Sequence, residues 1–320
     1  MMISAPEIAY GIACVFLFLY LVLSSIEFGA AFYMLLPESI LERSTIRTYV
    51  NPIWETTNIF LVFFAMMIFS CFPRAVPTLS LLLFPIVEVA LVFFVLRILG
   101  ILGLFYGDSG KLAWRLLFFV GSWGAALVLS GFYHVVVTGT RMSLPPDILT
   151  TSLILLVISA MLLLSSTFFL MFTSRHRFHP YLARLGYVSL LTWYGAAALY
   201  LIGPFRDAPY MLDHLTAATN GFIAVTLVTC AIPVCIHKRY FATGFASSVV
   251  AFAMLFFGSA YMHLPYLVYP AMTIVDAFTS AAIFHAILIS GAVGALFLIP
   301  ALYLLYALFG VTQTAAELIE

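Results

Sequence analysis

Asn51-Pro52-Ile53-Trp54-Glu55-Thr56-Thr57-Asn58 opens the apolar run IFLVFFAMMIFSCF at residues 59–72 with an acid beside a tryptophan. The stretch reads as a helix start. Asn51 is placed to N-cap, Pro52 suits the first position, and Glu55 then falls in the opening turn, where the helix dipole favours a carboxylate. Going backwards along the chain, the preceding apolar run carries a second acid, Glu27, well inside it. Going forwards, the next run carries Glu88 and Arg97. At a helix centre in hydrocarbon an Asp, Lys or Arg costs about 2.5 to 3.5 kcal/mol, so ionisable groups in such places point to function.

The surrounding runs set the class. With 64% hydrophobic and 8% charged residues and a mean hydropathy of +1.15, the chain lies far from the soluble balance of about 25% charged. Apolar runs fall at roughly Ile8 to Leu36, Trp54 to Phe72, Leu79 to Tyr106, Ala113 to Val137, Leu153 to Phe172, Leu185 to Gly203, Gly221 to His237, Gly244 to Tyr266 and Ala277 to Phe309. Nine spans result, each near or above the roughly 17 to 25 residues that a crossing helix needs. Strands are not expected, because the runs lack the alternation of an outer-membrane barrel. The expected fold is all-α and polytopic, one integral membrane domain over residues 1–320. The first run is too long for a signal-peptide core and has no basic segment before it, so it reads as a retained span. Zero formal net charge and the lack of a long basic block argue against nucleic acid.

Basic residues orient the spans. Arg43, Arg47, Lys111, Arg115, Arg175, Arg177, Arg184, Lys238 and Arg239 fall in alternate loops, and only Arg74, Arg141 and Arg206 fall in the others. Positive charge marks the cytoplasmic side, so the N-terminus is expected outside and the C-terminus inside. Glu27 and Arg97 then each lie nine residues short of the inner ends of their spans, at Leu36 and Tyr106, or about 13 Å deep. A Glu and an Arg at one level are natural partners in a low-dielectric region. An arginine reaching toward lipid headgroups or a quinone is the competing reading. Glu55 has two readings, a carboxylate that caps a helix or a proton entrance on the cytoplasmic side leading toward Glu27.

Glu88 follows Pro85 by three residues and precedes Arg97 by nine, half a turn out of phase, so the two cannot pair along one helix face. A hydrogen bond to a neighbouring helix is expected for it. Asp276, near Thr273 and Thr279 at the outer start of the ninth span, reads as a cap or a member of an external polar cluster. Of the histidines 134, 176, 179, 214, 237, 263 and 285, only His285 lies clearly within a span. One such histidine on an apolar helix is more often a core residue than an axial ligand, so no haem is expected on this chain. Cys14, Cys71, Cys230 and Cys235 form no CxxC and read as small apolar residues, and no metal site is expected. The four tryptophans fit interfacial belts.

Two of these motifs together resemble subunit II of the cytochrome bd-type quinol oxidases. That family's first span carries Asp-Gly-Phe-Asp-x-Gly, and Ser24-Ser25-Ile26-Glu27-Phe28-Gly29 matches it at Glu27 and Gly29. Its second span opens Pro-His-Trp-(Asp/Glu)-Gly-Asn-(Glu/Gln)-x-Trp. Pro52, Trp54 and Glu55 match, with Asn58 in place of the acid or amide. Phe72-Pro73, Arg97, the segment Val275-Asp276-Ala277-Phe278-Thr279-Ser280 and the closing Pro300 and Tyr303 to Gly310 also resemble family elements. The chain departs at Ser24, Ile53, Thr56, Thr57 and Phe60, and Glu88 has no place in the pattern. It therefore resembles a divergent member.

The resemblance implies two four-helix bundles plus one extra helix, in a prokaryotic cytoplasmic membrane. It implies a haem-bearing partner, subunit I, which holds b-type haems with or without haem d, oxidises quinol and reduces dioxygen to water. No catalytic residue is expected on this chain. Glu27 and Glu55 match acids linked with proton conduction from the cytoplasm, and Arg97, Trp54 and Asn58 match positions near them. A quinone on this chain and a small single-span subunit are further expectations of the family, alongside membrane lipids. Two other classes stay open on the residues alone, a proton-coupled secondary transporter with Glu27, Glu88 and Arg97 at a midplane site, and a membrane scaffold.

Overall fold

A computed structural model describes residues 4–37, 43–107, 111–140, 146–173 and 178–308, with a few side chains inside helices, Glu55 among them, outside the description. The described residues form nine helices of 22 to 31 residues: α1 Ala5–Tyr33, α2 Arg43–Cys71, α3 Val76–Tyr106, α4 Leu112–Thr138, α5 Ile148–Leu170, α6 His179–Asp207, α7 Leu215–His237, α8 Phe241–Met262 and α10 Ala281–Leu308. A one-turn helix, α9 Ile274–Ala277, precedes the last of them. Eight of the long helices are long and apolar enough to cross a membrane, whereas α2 has a shorter apolar stretch, Thr56–Cys71.

The elements pack as antiparallel neighbours in chain order, α1 with α2, α3 with α4, α5 with α6, and α7 with α8. Short connections make sequential helices antiparallel. The two groups of four, α1–α4 and α5–α8, meet mainly through α1, α4 and α5, and α10 lies against α2. Helix α5 is the most enclosed. Its Ser152, Ser159, Ser165, Ser166 and Thr167 hydroxyls all donate to carbonyls three or four residues earlier, and all five residues are buried. Small residues whose hydroxyls are satisfied within their own helix allow close approach where no hydrophobic driving force separates protein from lipid.

Three expectations are corrected by the backbone. Helix α2 begins at Arg43, so Asn51 does not cap it and Glu55 is not in its opening turn. The helix-dipole account of Glu55 falls with that cap. Hydrophobicity marks where a helix enters hydrocarbon, and this helix is formed for two further turns before it. Helix α8 ends at Met262, and Tyr266–Val268 pairs antiparallel with Met272–Thr273 in a small hairpin containing cis Leu264-Pro265 and Tyr269-Pro270 peptides. The last long helix starts at Ala281, because Thr273 caps the separate α9, its hydroxyl accepting from the Asp276 N–H and donating to Oδ2 at 2.6 Å. Asp276 thus completes the capping of a one-turn helix, and its carbonyl accepts from Arg74.

Candidate functional site

The segment Ser24–Ala31 of α1 is buried on every side, which an α-helix achieves only where neighbours surround it. Helix α2 covers one flank, and α4 and α5 cover others. At Gly29 a Cβ would collide with the Ser165 hydroxyl and the Met161 carbonyl of α5, so glycine is what lets these helices touch. One turn on, the Tyr33 hydroxyl lies 2.8 Å from Ser165 Oγ. Trp123 of α4 donates its indole N–H to the Phe28 carbonyl at 3.0 Å.

Inside this collar Glu27 is 0% exposed and Arg97 1% exposed. Arg97 Nε donates to Glu27 Oε1 at 2.7 Å and Nη2 donates to Oε2 at 2.6 Å, a bidentate pair between α3 and α1. The fork geometry of guanidinium against carboxylate gives two charge-assisted bonds where a lysine would give one. The Phe28 and Phe94 rings lie 5.1 and 5.6 Å from the guanidinium carbon and supply negative ring faces to the same cation. Gly121 of α4 would meet the Arg97 backbone if it carried a Cβ, so α4 closes tightly behind the arginine. The Tyr20 hydroxyl, two turns from Glu27 on α1, is buried without a hydrogen-bond partner among the described residues and lies within electrostatic range of both members of the pair. Sequence reading missed Tyr20, because a tyrosine in an apolar run looks like bulk.

The other candidate residues are distributed differently. The Glu55 side chain lies outside the described residues, though its backbone continues α2 between Trp54 and Thr56. Trp54 is half-buried, with its indole N–H buried and without a partner among the described residues, and Asn58 donates to the Trp54 carbonyl at 3.2 Å. Glu88 is exposed on α3 and has no hydrogen bond or ion pair among the described residues, so the expected bond to a neighbouring helix is not made among them. The half-turn offset that buries Arg97 turns Glu88 away from α4.

A second polar cluster, also missed, sits where α4, α6 and α8 end. The Tyr210 hydroxyl lies 2.6 Å from His263 Nδ1, and its ring stacks on Tyr269 with centroids 4.2 Å apart. Burial pushes the His263 imidazole down to about 4, so it is neutral, and pushes the Tyr210 phenol up. Nearby, the Tyr133 and Tyr200 hydroxyls are 2.9 Å apart, and His134 Nδ1 lies 2.9 Å from Thr150 Oγ1. His285 is exposed. Among the described residues no three His, Cys, Asp or Glu converge as a metal site, and His176 lies outside them.

Comparisons with known proteins agree on one family. Residues 5–309 match the family described as cytochrome bd terminal oxidase subunit II. A relative in Bacillus subtilis (strain 168), whose assigned name is that of a cytochrome bd menaquinol oxidase subunit II, is 24% identical over 94% of both chains. The bd oxidase structure from Geobacillus thermodenitrificans superposes with a TM-score of 0.85 at 25% identity, covering 96% of this chain and 99% of that one. With its helices long enough to cross the cytoplasmic membrane many times, the chain belongs to the cytochrome bd terminal oxidase subunit II family.

Proposed function

We propose that this chain is the haem-free subunit of a bd-type or bb′-type quinol:O2 oxidoreductase. It packs against the haem-bearing subunit I and helps conduct cytoplasmic protons toward the site of oxygen reduction. Haem b, with or without haem d, resides on the partner, and the reducing substrate is a quinol. The N-terminus is outside, as the distribution of Lys and Arg favours.

The observation that carries this reading is the enclosed Glu27–Arg97 pair, in a chain of this family. A carboxylate removed from water is costly, and the Arg97 guanidinium, donating to both of its oxygens, offsets part of that cost and fixes it in place. A group held in that state can accept a proton and release it again without leaving its position. Glu55 is the more superficial acid of the route, and α2, which bears it, packs along α1. Arg97 is the counter-ion. Trp54 and Asn58, one turn apart on α2, flank the entrance.

Purification of the native complex tests the assembly. Copurification of a haem-bearing subunit with quinol-dependent oxygen uptake supports it, and a haem-free chain that moves solute in liposomes would support the transporter reading instead. For the proton role, Glu27→Gln and Glu55→Gln should each slow turnover with haem content intact. Normal turnover in both variants defeats that part of the proposal.

A further inference from the structure

Buried serines on α1, α4, α5, α6 and α8 donate their hydroxyls to carbonyls three or four residues earlier in their own helices, as Ser24, Ser130, Ser159, Ser189 and Ser248 do. Among the described residues two buried hydroxyls depart from this rule and have no hydrogen-bond partner, Ser122 of α4 and Tyr20 of α1. Both stand beside the Glu27–Arg97 pair. Ser122 is 0% exposed and falls between Gly121, which abuts the Arg97 backbone, and Trp123, which donates to the Phe28 carbonyl. At about 100° per residue, Ser122 therefore faces the space that α3 and α1 bound, with the exposed Val120 on the far side of the helix. Arg97 crosses that space to reach Glu27, and the Phe28 ring lies 5.1 Å from its guanidinium carbon. Tyr20 precedes Glu27 by seven residues, which puts the two on one face of α1.

A carboxyl group that takes up and releases a proton has two states, and the bidentate pair is the ionised one. When Glu27 gains a proton the pair loses its charge attraction, while Arg97 keeps its own charge, because a guanidinium does not deprotonate in a protein. A buried cation without acceptors is costly, so the neutral state of Glu27 depends on what else Arg97 can donate to. Among the described residues Arg97 is the one charged side chain that acts on Glu27. Of the helices packed on α1, α5 carries no titratable group. Those of α4 and α8 lie toward the helix ends, at Arg115, Tyr133, His134 and Tyr261, and the Glu55 side chain of α2 is outside the description. We propose that Ser122 and Tyr20 are positioning residues for Glu27, whose hydroxyls accept the Arg97 N–H groups released when Glu27 is protonated and so set how tightly it holds the proton. A serine that is not bonded to its own helix is free to turn toward the guanidinium. The inference rests on the proposed proton role of Glu27 and names the groups that tune it.

The experiment uses the intact complex. Ser122→Ala and Tyr20→Phe each remove one hydroxyl at nearly constant volume. Infrared difference spectra taken against pH follow the carbonyl stretch of protonated Glu27, identified by its loss in Glu27→Gln, and turnover is measured over the same range. With an acceptor gone, the neutral state of Glu27 is less stable, so its proton affinity should fall about tenfold in each variant, the loss of one hydrogen bond to a charged group. The band should then titrate about one pH unit lower. Turnover that needs protonated Glu27 is lost as pH rises, so its alkaline limb should move to lower pH by the same amount. Ser122→Thr keeps the hydroxyl and should restore the wild-type titration. An unchanged titration in either variant, with haem content intact, overturns the role of that residue, and a shift to higher pH overturns the inference. Loss of the assembled complex in both variants assigns the hydroxyls to folding and overturns it as well. A wild-type complex with no titrating Glu27 band, together with normal turnover of Glu27→Gln, instead defeats the proton reading itself and this inference with it.

Discussion

Helix α3 carries two charged residues nine positions apart that have opposite fates. Arg97 faces α1 and α4, is 1% exposed and is held by both oxygens of Glu27, while Glu88 faces outward with no hydrogen-bond or ion-pair partner among the described residues. Nine residues at 3.6 per turn is two and a half turns, so whichever face α4 covers, the other charge is left out. One charge is held inside the fold of this subunit and the other stands on the outer face of α3. The difference shows that charge content alone does not mark a functional site in a membrane helix. Helix phase decides what the charge can touch.

The sharpest break in this comparison is Arg97→Leu, which leaves Glu27 buried and unpaired. A loss of about 3–5 kcal/mol is expected, seen as a lower thermal midpoint of the detergent-solubilised complex, and an unchanged midpoint would show that the pair does not hold the fold. The double variant Glu27→Met with Arg97→Met should recover most of that stability, since replacing both partners by apolar groups removes the desolvation penalty, while turnover stays low.

Next in size is the buried but uncharged His263. Its folded value of about 4 lies below the unfolded value of about 6.5, so the unfolded chain takes up the proton first as pH falls. Stability should therefore decline from pH 6.5 to pH 4 by about 3 kcal/mol and then level off, and His263→Gln should flatten that slope in a melting series against pH.

Gly29→Ala tests the collar around the pair. It should cost about 1–3 kcal/mol, because the added methyl meets the Ser165 and Met161 atoms of α5, and a wild-type melting curve would mean that α1 shifts freely. The smallest effect on the chain itself is that of Glu88→Gln. The isolated subunit should lose no more than about 0.5 kcal/mol, since no hydrogen bond or ion pair among the described residues is removed. A larger loss in the isolated chain would collapse the contrast between the two faces of α3.

Much of this was readable without coordinates. Counting residues from the positive loops brings Glu27 and Arg97 to one depth, and the structure places them in one ion pair. The start of α2 was misread because Asn51-Pro52 is a good cap signal where apolarity begins, whereas the polar residues from Arg43 onward are equally helical. Propensity cannot separate a helix that starts at the membrane from one that has already formed outside it. The Tyr210–His263 pair was invisible for a different reason. It joins two segments separated by 53 residues, between which no local pattern predicts contact.

By itself, the sequence determined that the chain is helical and membrane-embedded, how its spans are distributed, and that a few ionisable groups lie deep within them, because the cost of polar groups in hydrocarbon is written into composition and spacing. Only the tertiary structure decided which of those groups meet. Arg97 reaches Glu27 because α3, α4 and α1 close around it, and Glu88 remains open because the same closure turns it outward. A one-dimensional pattern specifies depth and phase, but which face is covered depends on helices far apart in the chain.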